Sequence, residues 1–115
     1  MSLNIVHLVG RAGRNPETKF VESGGSSYAL SNVTIAVRRP TSKNDEPDWF
    51  NLKCWGKTAE IMENHVRKGS LIGVQGTLTI ETWTDRDTGA ERSTPVIKVD
   101  RLDLLGSKRD NEIEM

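Results

Sequence analysis

From Trp49 to Trp55 the side chains alternate without a break. Phe50, Leu52 and Cys54 fall on one face, and Trp49, Asn51, Lys53 and Trp55 on the other. A period of two marks an extended strand with one face against a core. The stretch from Ile72 to Trp83 repeats it. Ile72, Val74, Gly76, Leu78, Ile80 and Thr82 form an apolar set, opposed by Gly73, Gln75, Thr77, Thr79, Glu81 and Trp83. Strand-like segments rich in Val, Ile and Thr also occupy 4–14, 28–38 and 92–105, making five with 49–56 and 71–83. Each must bury a face, which leaves a small barrel or a small α+β sandwich.

The punctuation between segments supports this. Asn15-Pro16 and Gly24-Gly25 fall in the first gap, a polar loop runs from Pro40 to Pro47, and Asp85 to Gly89 has the composition of a hairpin turn. One segment, 58–68, carries helical spacing: Ala59, Met62 and Val66 form an apolar stripe. Thr58 is placed to cap its start, Arg67 and Lys68 suit its negative end, and Gly69 suits the left-handed position that closes a helix. Five strands with one helix between the third and fourth match the five-stranded OB barrel, an all-β fold. The expected domain is 1–105, followed by a short polar tail at 106–115 without fixed structure.

The tryptophans are the second constraint. All three, Trp49, Trp55 and Trp83, lie opposite the apolar faces of their strands. Indoles on a solvated face form a base-stacking surface. Rings buried under a loop or in a subunit interface fit alternation equally well. Charge placement favours stacking. The net charge is zero, with 16 basic and 16 acidic residues, so the chain lacks an overall basic footprint. Yet three stretches are free of acids: 1–16 with Arg11 and Arg14, 31–44 with Arg38, Arg39 and Lys43, and 49–57 with Lys53, Lys57 and two tryptophans. Basic side chains interleaved with aromatics are what a groove for a single strand needs.

These residues resemble the bacterial and organellar single-stranded DNA-binding proteins over about Asn4 to Leu105. The strongest match runs from Trp49-Phe50-Asn51-Leu52-Lys53-Cys54-Trp55 through Gly56-Lys57-Thr58-Ala59-Glu60, then Arg67-Lys68-Gly69-Ser70 and Gly76-Thr77-Leu78. Gly10-Arg11, Asn15-Pro16-Glu17 and Lys19 resemble the family's first strand and the turn after it. The resemblance implies an OB fold, a homo-oligomer (a tetramer rather than a dimer) and sequence-independent binding of single-stranded DNA in replication, recombination or repair. It places Trp49, Trp55 and Trp83 at base-stacking positions, with Lys57 and Lys19 at basic positions near the strand. Three departures stand out: Thr41 where a further aromatic often lies, Ile80-Glu81-Thr82 where basic residues often precede the last tryptophan, and no long tail with an acidic tip. They fit a short accessory, phage-like, cyanobacterial or plastid form with weaker DNA binding.

Other signals lead nowhere. Gly56-Lys57-Thr58 resembles the end of a phosphate-binding loop, but Asn51 stands where that motif needs glycine. Asn32-Val33-Thr34 matches a glycosylation sequon inside a strand. His7, His65 and one cysteine make no standard zinc site, and Cys54 alternates with core residues, so it is expected to be buried and inert. The apolar doublets Ile5-Val6 and Leu8-Val9 give the first strand two apolar faces, the outer one suited to a neighbouring subunit. No cofactor, metal or catalytic group is expected. No membrane segment or signal peptide is evident, which fits a cytoplasmic, nucleoid-associated or plastid location. The expected function is non-enzymatic: Trp49, Trp55 and Trp83 stack bases while Arg11, Lys19, Arg38, Arg39, Lys43, Lys53 and Lys57 follow the phosphates. The alternative is an OB-fold protein-interaction subunit of primosome type, with DNA binding weak or lost.

Overall fold

A computed structural model describes residues 3–40 and 46–106. The elements are β1 (Val6–Ala12), β2 (Glu17–Ser23), β3 (Ser26–Arg38), β4 (Pro47–Trp55), α1 (Gly56–His65), β5 (Leu71–Thr84) and β6 (Glu91–Leu104). The sheet order is β1-β5-β6-β4-β3-β2, and a further pairing of β1 with β3 closes a ring of five strands. All pairings are antiparallel except β4 with β6. This ring is the expected OB barrel, with α1 between β4 and β5. The gap bracketed by Asn15-Pro16 and Gly24-Gly25 holds a further strand, β2, which extends the sheet outside the ring by pairing with β3. Its sequence, ETKFVES, lacks an alternating apolar face, in keeping with a strand that pairs only with β3; Phe20 is 74% exposed.

Alternation becomes core packing strand by strand. Ala29, Ser31, Val33 and Ile35 of β3 point inward, as do Leu52 and Cys54 of β4, Ile72 and Val74 of β5, and Ile97 and Val99 of β6. Ala59 and Met62 of α1, with Val66 just beyond it, are fully buried against this core, as the stripe predicts. Each fully buried branched or thioether side chain contributes about 1.5–3 kcal/mol. Closure leaves no room for a side chain at Gly10, where a Cβ would lie 2.2 Å from the carbonyl oxygen of Ala36.

Three local expectations change. α1 begins at Gly56, so Thr58 lies inside its first turn and caps nothing; the N-cap is Trp55, without a side-chain hydrogen bond. The helix ends at His65, and Gly69 shapes the following turn instead. There Ser70 N–H donates to Arg67 C=O at 2.9 Å, with Gly69 at φ 90°, the third-position requirement of a type II turn. Most consequential, the apolar set of β5 is not core throughout. Ile72, Val74 and Gly76 are buried, whereas Leu78 is 41% and Ile80 59% exposed. β1 pairs with β5 only as far as Gly76, where the β5–β6 register also slips. The rest of the hairpin is an arm that outruns the barrel.

Candidate nucleic-acid interface

The outward set of β4 lies in cross-strand rows. Trp55 pairs with Leu30 of β3, which pairs with Lys19 of β2. Lys53 pairs with Asn32 on one side and Lys98 of β6 on the other. Asn51 lies between Thr34 and Val96. Trp49 pairs with Ala36, which pairs with Arg11 of β1. Directly opposed residues of paired strands share a face, so two of the three tryptophans, Lys19 and Lys53 lie on one side of one sheet. The surface between them is a shallow groove lined by Arg14, Asn32, Asn51, Lys53, Glu81 and Thr94.

Exposure separates the rings from the core. Trp49 is 59% and Trp83 48% exposed, and Trp55 is half-buried. The Trp49 ring lies against Gly13, where a Cβ would come within 2.5 Å of ring atom Cζ3. Lys98 Nζ sits 5.6 Å from the centroid of the Trp55 ring, within cation–π range. Trp83 lies on the arm, opposite Arg92 of β6. A side-chain link joins the arm to β4: Lys53 Nζ donates to both carboxylate oxygens of Glu81, at 2.7 and 2.8 Å.

The cations divide into paired and unpaired. Lys53 is held by Glu81. Arg14 donates to Asn32 Oδ1 at 2.9 Å and pairs with Glu17. Arg39 pairs with Asp48, which raises the guanidinium pKa and holds that carboxyl below the usual range, the hydrogen bond being the main cause in both. Arg92 pairs with Asp85 at 2.9 Å. Lys19, Arg38, Lys57 and Lys98 are exposed and make no ion pair with a described residue. Arg11 is exposed, yet its guanidinium donates to Gly69 C=O at 2.9 Å.

The sequence-predicted residues therefore form three groups. Trp49, Trp55, Lys53 and Lys19 share the open sheet. Lys57 adjoins it as the second residue of α1, and Trp83 on the arm. Arg11, at the β1 end of the Trp49 row, turns its guanidinium to Gly69 C=O and lines with Arg38 a groove of its own beside Val9, Ala36, Pro47 and Leu71, and Arg39 is held by Asp48. Lys43, like Thr41, lies outside the described residues, as do residues 107–115 of the expected tail. Sequence reasoning missed Arg14, Arg92 and Lys98 as members of the face. Arg92, Thr94, Val96 and Lys98 do stand at even spacing in β6, but only its parallel pairing with β4 sets Lys98 beside Trp55.

Cys54 is fully buried, its Sγ 3.6 Å from Met62 Sδ, and burial pushes the thiol up to about 12. His7 and His65 are exposed. Among the described residues, no group of three His, Cys, Asp or Glu is placed to hold a metal ion, and no helix is long and apolar enough to cross a membrane.

Residues 3–105 match the model of the Single-strand binding protein family. The chain is 62% identical over 112 residues to "Single-stranded DNA-binding protein 1" of Synechocystis sp., covering 96% of this chain and 90% of that protein. It is 59% identical over 112 residues to "Single-stranded DNA-binding protein 1" of Nostoc sp., covering 97% and 91%. It is 41% identical over 110 residues to that organism's "Single-stranded DNA-binding protein 2", covering 96% and 84%.

Proposed function

Because the chain belongs to the Single-strand binding protein family, we propose that it binds single-stranded DNA without reading its sequence and without catalysing a reaction on it. The observation that carries the mechanism is the pair of outward indoles at Trp49 and Trp55, both on β4 and on the face opposite the core. Bases stack on such rings at about 1–3 kcal/mol each, whatever their identity. Trp83 extends the platform along the arm. Lys19, Lys57, Lys98 and Arg38 are free to meet phosphates, while Arg39 engages DNA only by competing with Asp48. With zero net charge and several face cations already paired, stacking carries a larger share of the binding than in a basic member. A role in replication, recombination or repair, with the cell's DNA in the cytoplasm, fits that substrate.

Binding is tested by titrating oligo-dT at low salt while following tryptophan fluorescence. Strong quenching that salt reverses is expected. Neither quenching nor a mobility shift at low salt would refute the reading in favour of a protein-interaction subunit.

The proposal extends to self-association. Ile5 just before β1 and Val9 within it are 56% and 55% exposed, and Leu104 at the end of β6 and Leu105 just beyond it are 41% and 48% exposed. Apolar side chains gathered at one edge favour a second copy as cover. A homotetramer is favoured over a dimer, and a stable monomer in light scattering would refute both.

A further inference from the structure

We propose that Glu81 is a built-in stand-in for a DNA phosphate, which occupies Lys53 and withholds it from the nucleic acid. The inference rests on the single-stranded DNA reading and refines it. Lys53 lies between Trp49 and Trp55 in the outward row of β4, where a cation would best follow a strand stacked on both rings. Its ammonium already faces an anion in forked geometry, with two of its three donors at 2.7 and 2.8 Å from the two Glu81 oxygens. The pair is sheltered, with the side chains 29% and 38% exposed, so it is screened less than a fully solvated one. Of the other cations near this groove, Arg14 is committed to Glu17 and Asn32, whereas Lys98 stands over Trp55 without an ion pair to a described residue.

A phosphate reaching Lys53 must displace a carboxylate that keeps its charge and stays tethered. The exchange releases no net counterion for that contact and leaves Glu81 facing the strand. Lys53 is thus silent in the salt dependence of binding as long as Glu81 is present. On single strands each phosphate neutralised adds about 0.7 to the slope of log affinity against log salt. Glu81→Gln keeps the shape and removes the charge. It is expected to steepen the slope by about 0.7, giving about eightfold tighter binding near about 50 mM salt and about threefold near about 200 mM.

The experiment measures oligo-dT affinity across salt for wild type, Glu81→Gln, Glu81→Thr and the double variant Lys53→Gln/Glu81→Gln, each checked for cooperative melting. Glu81→Thr provides a second neutral side chain suited to a strand. Support requires both single variants to steepen the slope and the double variant to lose the gain. Unchanged slopes in the single variants would overturn the inference, since Lys53 would then meet phosphate with Glu81 in place. Weakened binding would overturn it too, because the pair would then serve to hold the arm. So would a double variant that keeps the gain, since Glu81 would then act by repulsion alone. If wild type itself fails to bind, the DNA reading falls and the inference with it. Wild-type binding with unaltered variant slopes defeats the inference alone.

Discussion

The indole of Trp49 occupies the space that any side chain at residue 13 would need. A methyl there would lie 2.5 Å from ring atom Cζ3 and 3.0 Å from Thr34 Oγ1. The backbone cannot yield easily, because Gly13 N–H donates to Thr34 C=O at 2.9 Å. One of the exposed aromatics is therefore positioned by a glycine on a different segment of chain.

Gly13→Ala is expected to push the Trp49 ring from its seat and forfeit part of the about 1–3 kcal/mol that one stacked base provides. The readout is lower affinity for oligo-dT and weaker fluorescence quenching, with a cooperative melt retained. Wild-type affinity and quenching in the variant would show that residue 13 does not set the ring's position.

Trp55→Ala separates surface from core. Its ring lies outside the barrel beside Lys98, so the chain should still fold, with DNA binding weaker by roughly 5- to 150-fold, the equivalent of about 1–3 kcal/mol. Met62→Ala should do the reverse. Met62 is fully buried, so the deletion costs about 2–5 kcal/mol of stability while the stacking face is left intact. Circular dichroism melts and titrations on both variants check this, and an unfolded Trp55→Ala would place that ring in the core.

Cys54 should resist thiol reagents in the native state. The thiolate is the reactive species, and burial pushes this thiol up to about 12, so almost none forms at pH 8. Ellman's reagent is expected to react at pH 8 only after denaturant is added. Prompt reaction of the folded protein would contradict the burial.

The arm's turn should loosen in acid. Asp85 accepts from Arg92 Nε at 2.9 Å and from the N–H of Asp87 at 2.8 Å. These bonds, the one from Arg92 foremost, hold its pKa below the usual carboxylate value. For a group whose folded pKa is depressed, the stabilisation is complete above the unfolded value of about 3.9 and fades as pH falls through the folded one. The protection of the Asp87 and Gly89 amides, corrected for the intrinsic pH dependence of exchange, should therefore fall in acid for wild type. In Asp85→Asn the protection should already be lower at neutral pH and change less with acid. Identical profiles would remove Asp85 from control of the turn.

The outward position of Trp49 and Trp55 was legible in the sequence because a strand's period of two is a local property. The same holds for the buried Cys54, the helical stripe of Ala59, Met62 and Val66, and the hairpin at Asp85. β2 escaped notice for want of alternation. The apolar face of β5 was read too far because periodicity does not reveal where the supporting strand ends: Leu78 and Ile80 alternate correctly, but β1 has stopped pairing at Gly76.

The sequence by itself determined which side chains share a face, since the handedness and pleat of one strand suffice for that. Which faces meet was decided only by the tertiary structure. Closure of the ring and the β4–β6 pairing bring Lys98 to Trp55, Glu81 to Lys53 and Trp49 to Gly13. None of these pairs is close in sequence, so no local pattern encodes them. The zero net charge shows the same division. Composition gives the total, but only the folded sheet decides that Lys53 is neutralised while Lys19 and Lys57 stand free of ion pairs with the described residues.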